Sequence, residues 1–268
     1  MIKSQFITQA VAYFVQRFLF RKEYLIAESS YGIKFKFKTA DAVGRKIYKS
    51  KDYEPTITNF VLNEITFEPG DIVLDVGANI GWYSLILAKC KPGLNIYAFE
   101  PDTLNYRLLT DNIALNKINS VVAINHAVSN NTGSATLYKY DEKNLGRHSI
   151  LPIFNGKSES VTTVTLDDFM KENNISDKTV RLLKIDVEGF EGNVLKGALS
   201  TLPKIKYIIH EFSPDLMNHG DTAPETLINM LFENGFKPYE IVDNKAKPLN
   251  LKHLSSLQDG VNILWKSS

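Results

Sequence analysis

The chain has 268 residues, 31 Lys+Arg against 30 Asp+Glu, 44% hydrophobic residues and one cysteine. That much apolar material excludes disorder as the main state, and a net charge of +1 lacks the basic excess of an obligate nucleic-acid binder. The lone Cys90 excludes an intramolecular disulfide and a cysteine-rich zinc site, and it fits a cytoplasmic protein.

Residues 6–20 (FITQAVAYFVQRFLF) are strongly apolar but broken by Gln9, Gln16 and Arg17. The run is too short and too interrupted to span a membrane, and it lacks the small-residue cleavage site of a signal peptide. It predicts a helix that packs on the body, makes a homodimer contact, or lies on a membrane surface with Lys3, Arg17, Arg21 and Lys22 toward the headgroups. The first 55 residues hold eleven Lys/Arg against five Asp/Glu. They are set apart as an N-terminal helix and hairpin extension (1–55) on a main domain (56–268). Residues 33–38 (IKFKFK) alternate apolar and basic, the pattern of a half-buried strand, and Tyr31-Gly32 before them suits a hairpin turn. The lysine face is either solvated or a landing surface for an acidic substrate.

From residue 71 short apolar runs alternate with helical segments. Strands are predicted over 71–76, 94–99, 121–126, 180–187, 205–212, 236–242 and 261–265. Helices are predicted over 79–89, 101–116, 167–173 and 222–234. Extra strands over 134–140 and 160–164 flank a polar insertion (140–158) that suits a substrate loop. Repeated alternation implies an α/β fold with a mostly parallel, doubly wound sheet. Ligands then bind at the carboxyl ends of the strands, which carry Asp75, Glu100, His126, Asp186 and Glu211.

Asp75-Val76-Gly77-Ala78-Asn79-Ile80-Gly81 closes the first strand and opens a helix. Gly77 and Gly81 allow a tight turn and close approach to a ligand. The Gly-x-Gly-x-x-Gly that brings backbone onto a pyrophosphate is missing, and Asp75 would repel a phosphate. Glu100 ends the second strand, where an acid accepts from both hydroxyls of a ribose. An acid before the loop, no third glycine and a ribose acid together favour S-adenosylmethionine over a nicotinamide nucleotide. His126, Ala127 and Val128 end the third strand, where adenine is expected. Val128 would cover the ring, and His126 is either an edge contact or an ordinary strand-end histidine.

Lys184-Ile185-Asp186-Val187-Glu188-Gly189 ends the fourth strand. Alternation puts Lys184, Asp186 and Glu188 on one side. Asp186 is placed to orient or deprotonate a substrate hydroxyl. His210-Glu211 ends the fifth strand; adjacent residues point to opposite faces, and His210 is the stronger general base near neutral pH. These groups could also hold a hard metal, but nothing in the spacing demands one and no metal is expected. Cys90 reads as a core residue of the first helix. No Walker loop and no Gly-x-Ser-x-Gly elbow is present, which excludes P-loop ATPase chemistry and disfavours an α/β-hydrolase.

The runs IVLDVGANIGWYSLILA (72–88), FEPD (99–102), AVS (127–129), TLDDF (165–169) and LLKIDVEGFE (182–191), with GRKIY…DYEP upstream (44–55), resemble the FkbM family of S-adenosylmethionine-dependent methyltransferases. The resemblance implies a Rossmann-like class I methyltransferase fold, with a seven-stranded sheet whose last strand is antiparallel. It implies O-methylation of a hydroxyl on a sugar, glycan or secondary metabolite. It places Asp75, Gly77, Asn79 and Gly81 in the cofactor loop, Glu100 at the ribose, and Asp186 and Glu188 near the methyl. Tyr53 and Glu54 match a segment that folds over the cofactor. RNA 2′-hydroxyl methylation and a non-catalytic docking module on glycan machinery or a membrane are the alternatives.

Overall fold

The computed structural model describes residues 2–140, 148–154, 156–250 and 260–268. Helix α1 (Ile2–Phe14) continues into a π-helical stretch (Val15–Leu19). The antiparallel hairpin β1 (Tyr24–Glu28) and β2 (Lys34–Lys38) follows. Asp41 then accepts from the Gly44 N–H and caps α2 (Ala42–Ser50), and Pro55 opens α3 (Pro55–Glu64). A capping carboxylate and a proline in the first turn are ordinary helix starts.

The alternating part runs β3 (Ile72–Val76), α4 (Trp82–Cys90), β4 (Asn95–Phe99), α5 (Thr103–Leu115) and β5 (Val121–Ile124). It continues with β6 (Ala127–Val128), β7 (Gly133–Tyr138), β8 (Ser158–Val164), α6 (Leu166–Glu172), β9 (Val180–Ile185) and α7 (Glu191–Lys196). The chain closes with β10 (Ile205–Phe212), α8 (Pro214–Met217), α9 (Pro224–Glu233), β11 (Phe236–Val242), β12 (Lys245–Pro248) and β13 (Val261–Ser267).

The central sheet has the order β12-β11-β13-β10-β9-β3-β4-β5. Strands β3, β4, β5, β9 and β10 pair in parallel, and β13 runs antiparallel to both its neighbours. This is the expected class I methyltransferase sheet, with one strand more than expected. The addition, β12, hairpins onto β11 through Asp243 and Asn244, both at positive φ (52° and 61°), the backbone a two-residue type I′ turn requires. Strands β6, β8 and β7 form a second, three-stranded sheet. Of the predicted substrate-loop insertion, residues 141–147 and 155 lie outside the described residues.

Strand alternation divides the core in two. Val73, Ile96, Val121, Leu182 and Ile209 face one side, with α3, α4 and α5 packed on them. Ile72, Leu74, Val76, Leu183, Ile185 and Ile208 face the other, with α6, α7 and α9. The first side also takes Phe35 and Phe37 of the hairpin, both fully buried. Asn112 of α5 and Asn116, the C-cap of that helix, close the free edge of β2. Asn112 accepts from the Lys36 N–H (2.6 Å) and donates to the Lys36 carbonyl (3.2 Å). Asn116 does the same with Lys34 (2.8 and 2.7 Å). Side-chain amides thus stand where a further strand would pair.

Cys90 departs from expectation: it is the last residue of α4 and exposed. Among the described residues no helix is long and apolar enough to cross a membrane.

Candidate active site

The loop after β3 is held by the protein's own hydrogen bonds. The Gly77 and Ala78 N–H groups both donate to the Phe99 carbonyl (2.9 Å). The Asn79 N–H donates to Glu100 Oε2 (2.8 Å), and the Asp102 N–H donates to Glu100 Oε1 (2.9 Å). Glu100 therefore points its carboxylate across the loop with lone pairs still available. Burial first, and Asp102 second, push its carboxyl up to about 8. Asp75 is buried under the loop, where its Oδ2 accepts from the Ser84 N–H (3.1 Å) and Ser84 Oγ (2.5 Å). It thereby ties the first turn of α4 to β3, and burial raises its pKa despite these bonds.

The two loop glycines answer to the protein itself. At Gly77 (φ +81°) a Cβ would stand 1.9 Å from the Asp186 carbonyl oxygen; at Gly81 (φ +94°) it would meet Leu85 and Leu109 of the core at 2.4 and 2.6 Å. Gly77 thus lets the ends of β3 and β9 approach, with the Asp186 N–H donating to the Val76 carbonyl (2.9 Å). Gly81 packs α4 on α5.

Two hollows open on either side of this contact and share Gly77, Asn79 and Asp186. In the smaller one Phe99, Pro101, Val128, Ile150 and Phe190 give apolar walls around Glu100, with His126 and Ala127 beside them. The His126 Nδ1 is buried and has no hydrogen-bond partner among the described residues.

The larger hollow, about 520 Å³, brings together Tyr53, Glu54, Asp75, Tyr83, Lys184, Asp186, Glu188 and Glu211. The predicted side of Lys184, Asp186 and Glu188 thus does face one space, although Glu188 reaches it from a left-handed turn (φ 53°) beyond β9. Lys184 is 2% exposed, with Nζ 3.4 Å from Asp186 Oδ2 and 5.3 Å from the centre of the Tyr83 ring. Burial opposes its charge, but Asp186, Glu54, Asp75 and Glu211 outweigh burial and raise its pKa. Glu211 moves up, chiefly through burial and then Asp186. Tyr83 donates to Glu54 Oε2 (2.5 Å). Tyr53 is held with its ring edge-on to Trp82 (6.1 Å), whose Nε1–H donates to Thr58 Oγ1 (2.9 Å). The segment before the sheet therefore does supply a wall.

His210 is not part of that wall. It is fully buried on the opposite face of β10, where its Nε2 accepts from the Trp265 Nε1–H (2.9 Å) and burial lowers its pKa to about 4. An imidazole so enclosed is out of reach of an acceptor in the cleft; its neighbour Glu211 lines the larger hollow. Lys46, Tyr83 and Asp215 also line the larger hollow and were not foreseen. Glu191 was missed as well: buried at the start of α7, it accepts from the Gly189 N–H (3.2 Å), and burial raises it to about 7. Among the described residues no group of three or more His, Cys, Asp or Glu converges as a metal site.

A sheet of this order with paired hollows at its carboxyl edge defines a class I methyltransferase. The model of the FkbM methyltransferase domain matches residues 75–238, more than half of the chain, and the chain belongs to that family. It is similar to the hexuronic acid methyltransferase AglP of Haloferax volcanii, with 25% identity over 78% of this chain and 80% of the relative. It is also similar to the 31-O-demethyl-FK506 methyltransferase FkbM of Streptomyces tacrolimicus (27%, over 66% and 76%) and the 2-O-methyltransferase NoeI of Sinorhizobium fredii (24%, over 61% and 72%). Among solved structures it is similar to TYW2 of M. jannaschii in complex with AdoMet, with a TM-score of 0.45 and 16% identity over 92% of this chain and 88% of that one. The methyl donor of the family is S-adenosylmethionine. The chemistry of the smaller hollow's lining fits such a group: it offers a buried carboxylate, a buried ring nitrogen without a partner among the described residues, and apolar walls.

Proposed function

We propose that this protein is an O-methyltransferase acting on a hydroxyl of a sugar, glycan or secondary metabolite. One observation carries the reading: the ribose-acid hollow and the acid-rich hollow meet at Asp186. The names of the 31-O-demethyl-FK506 methyltransferase and the 2-O-methyltransferase NoeI support oxygen as the acceptor atom, and that of the hexuronic acid methyltransferase AglP supports a sugar acceptor.

The smaller hollow takes the adenosine. Glu100 accepts from the ribose hydroxyls, His126 meets the polar edge of the base, and Ala127 and Val128 with Phe99 keep water off its faces. The loop from Asp75 to Gly81 and the segment of Tyr53 and Glu54 hold the amino-acid end. Bound S-adenosylmethionine supplies an electrophilic methyl on a sulfonium. Asp186 orients the acceptor hydroxyl and takes its proton, with Glu188 and Glu211 as further acceptors on the same wall. Lys184 offsets the charge that these carboxylates accumulate at 3.4 Å from Asp186. Most of the rate is expected from fixing and desolvating two reactants, with about 10²–10⁴-fold from the proton acceptor.

Calorimetric titration with S-adenosylhomocysteine, using NAD as control, tests the cofactor. Transfer of labelled methyl from S-adenosylmethionine to a panel of free hydroxyl, amine and carbon acceptors tests the atom. Label that survives base and travels with hydroxyl acceptors is expected. Label confined to nitrogen or carbon acceptors would overturn the reading.

A further inference from the structure

The N-terminal helix turns an apolar face to solvent. Val11, Phe14 and Phe18 follow one another at spacings of three and four, one side of a helix, and Leu19 and Phe20 extend the face. All five are more than half exposed, Leu19 at 73%. The rings of Phe14 and Phe18 lie 4.8 Å apart, so the face is continuous. It is not a core face left open by a loose fit, because the opposite side already binds the body. There Tyr13 is buried, its hydroxyl donates to the Thr39 carbonyl and its ring packs on Tyr48. An exposed apolar surface of this kind marks an interaction site.

Charge selects the occupant. Between residues 17 and 38 the chain carries Arg17, Arg21, Lys22, Lys34, Lys36 and Lys38 against Glu23 and Glu28. Beside the helix a groove of about 480 Å³ has Leu25 and Ile26 on its walls, with Lys22 and Lys36 at its edge; the Lys36 ammonium is paired with Asp111 (2.8 Å). A second copy packed face to face would set these cations against their own kind, which association disfavours. An anionic bilayer matches both the apolar wedge and its positive rim.

We infer that this face docks on an anionic lipid bilayer. Phe14, Phe18, Leu19 and Phe20 enter the boundary between headgroups and acyl chains, and Arg21 and Lys22 meet lipid phosphates. The docking is independent of the reaction proposed above and is tested without it.

The test is flotation of the full chain with vesicles of phosphatidylcholine plus phosphatidylglycerol, against phosphatidylcholine alone. The wild-type protein is expected to float with the anionic vesicles and to lose most of that binding at high salt. The double variant Phe18→Asp/Phe20→Asp and the double variant Arg21→Glu/Lys22→Glu are each expected to bind at least about tenfold more weakly. Both should melt within a few degrees of wild type, since none of the four side chains is buried. Wild-type protein that stays with the non-floating fraction, or variants that float as well as wild type, would overturn the inference. So would a dimer in sedimentation velocity that Phe18→Asp dissolves in a protein that ignores vesicles.

Discussion

An alanine at position 77 would place a methyl group 1.9 Å from the Asp186 carbonyl oxygen and 2.9 Å from its carbonyl carbon. Those atoms are backbone, so relief requires the β3 loop and the end of β9 to part by roughly 1.5 Å to reach ordinary contact. The residue must also hold φ at +81°, which costs a side chain about 1–2 kcal/mol. Overpacking adds about 1–3 kcal/mol. Gly70 separates the two effects: its φ is +92° and nothing lies within 4 Å of its Cβ. Gly70→Ala should therefore show the strain alone, a melting temperature lower by roughly 2–8 °C, with cofactor affinity unchanged. Gly77→Ala should melt lower still and lose about 10²-fold in turnover, because parting the strands moves Asp186 by more than an ångström. Thermal melting, S-adenosylhomocysteine titration and initial rates on one protein set decide it. A Gly77→Ala protein that matches Gly70→Ala in all three would refute the claim that this contact joins the two hollows.

Further outcomes are expected at three residues. Asp186→Asn should lower turnover by about 10²–10⁴-fold while S-adenosylhomocysteine affinity stays near wild type; equal losses in both would make Asp186 part of the cofactor scaffold instead. Glu100 has a folded value of about 8 against an ordinary 4.5, so its contribution to stability is complete below 4.5 and is lost as pH rises through 8. Glu100→Gln should remove roughly 3–5 kcal/mol of that pH slope; parallel melting profiles for the two proteins would contradict it. Affinity of wild type for S-adenosylhomocysteine should climb over the same interval, because ribose hydroxyls donate to the ionised carboxylate. His210 acts with the opposite sign. Its value falls from 6.5 to about 4, so stability present above 6.5 is lost as pH falls toward 4, by roughly 3 kcal/mol. His210→Gln should flatten that acid limb, and an unchanged limb would mean that the imidazole is not sealed against Trp265.

Much of the sheet was legible because buried parallel strands are short aliphatic runs. β10 and β11 have the bounds their sequences predict, whereas α4 begins at Trp82 and not at residue 79. The loop holds Asn79 and Gly81 in left-handed backbone, and a helix cannot start until that turn is complete. Helix α2 was not foreseen: its nine residues bury only Val43, Gly44 and Ile47, too few to show a period. The site splits the same way. Asp75, Gly77, Glu100 and Asp186 sit at strand ends and could be placed from local pattern. Lys46 and Asp215 arrive from elements whose docking angle no local pattern encodes. His210 and Glu211 show the limit within one strand. Alternation says that one of the two faces the cleft, but the choice depends on Trp265, which lies 55 residues further on and donates to the imidazole.

The asparagine amides of α5 bear on how this protein could be shortened. Asn112 is fully buried, and its amide is divided between the Lys36 backbone of β2 and the Ile80 carbonyl of the loop after β3. A chain cut back to begin at residue 56 would leave that amide facing an empty slot and would uncover Trp82, against which Phe35 is stacked at 5.3 Å. The methyltransferase sheet would then carry an open wound on the flank that holds Tyr53 and Glu54, and those two residues would be gone with the cut. The N-terminal extension is thus a structural tenon: pulled out, it takes one wall of the larger hollow with it.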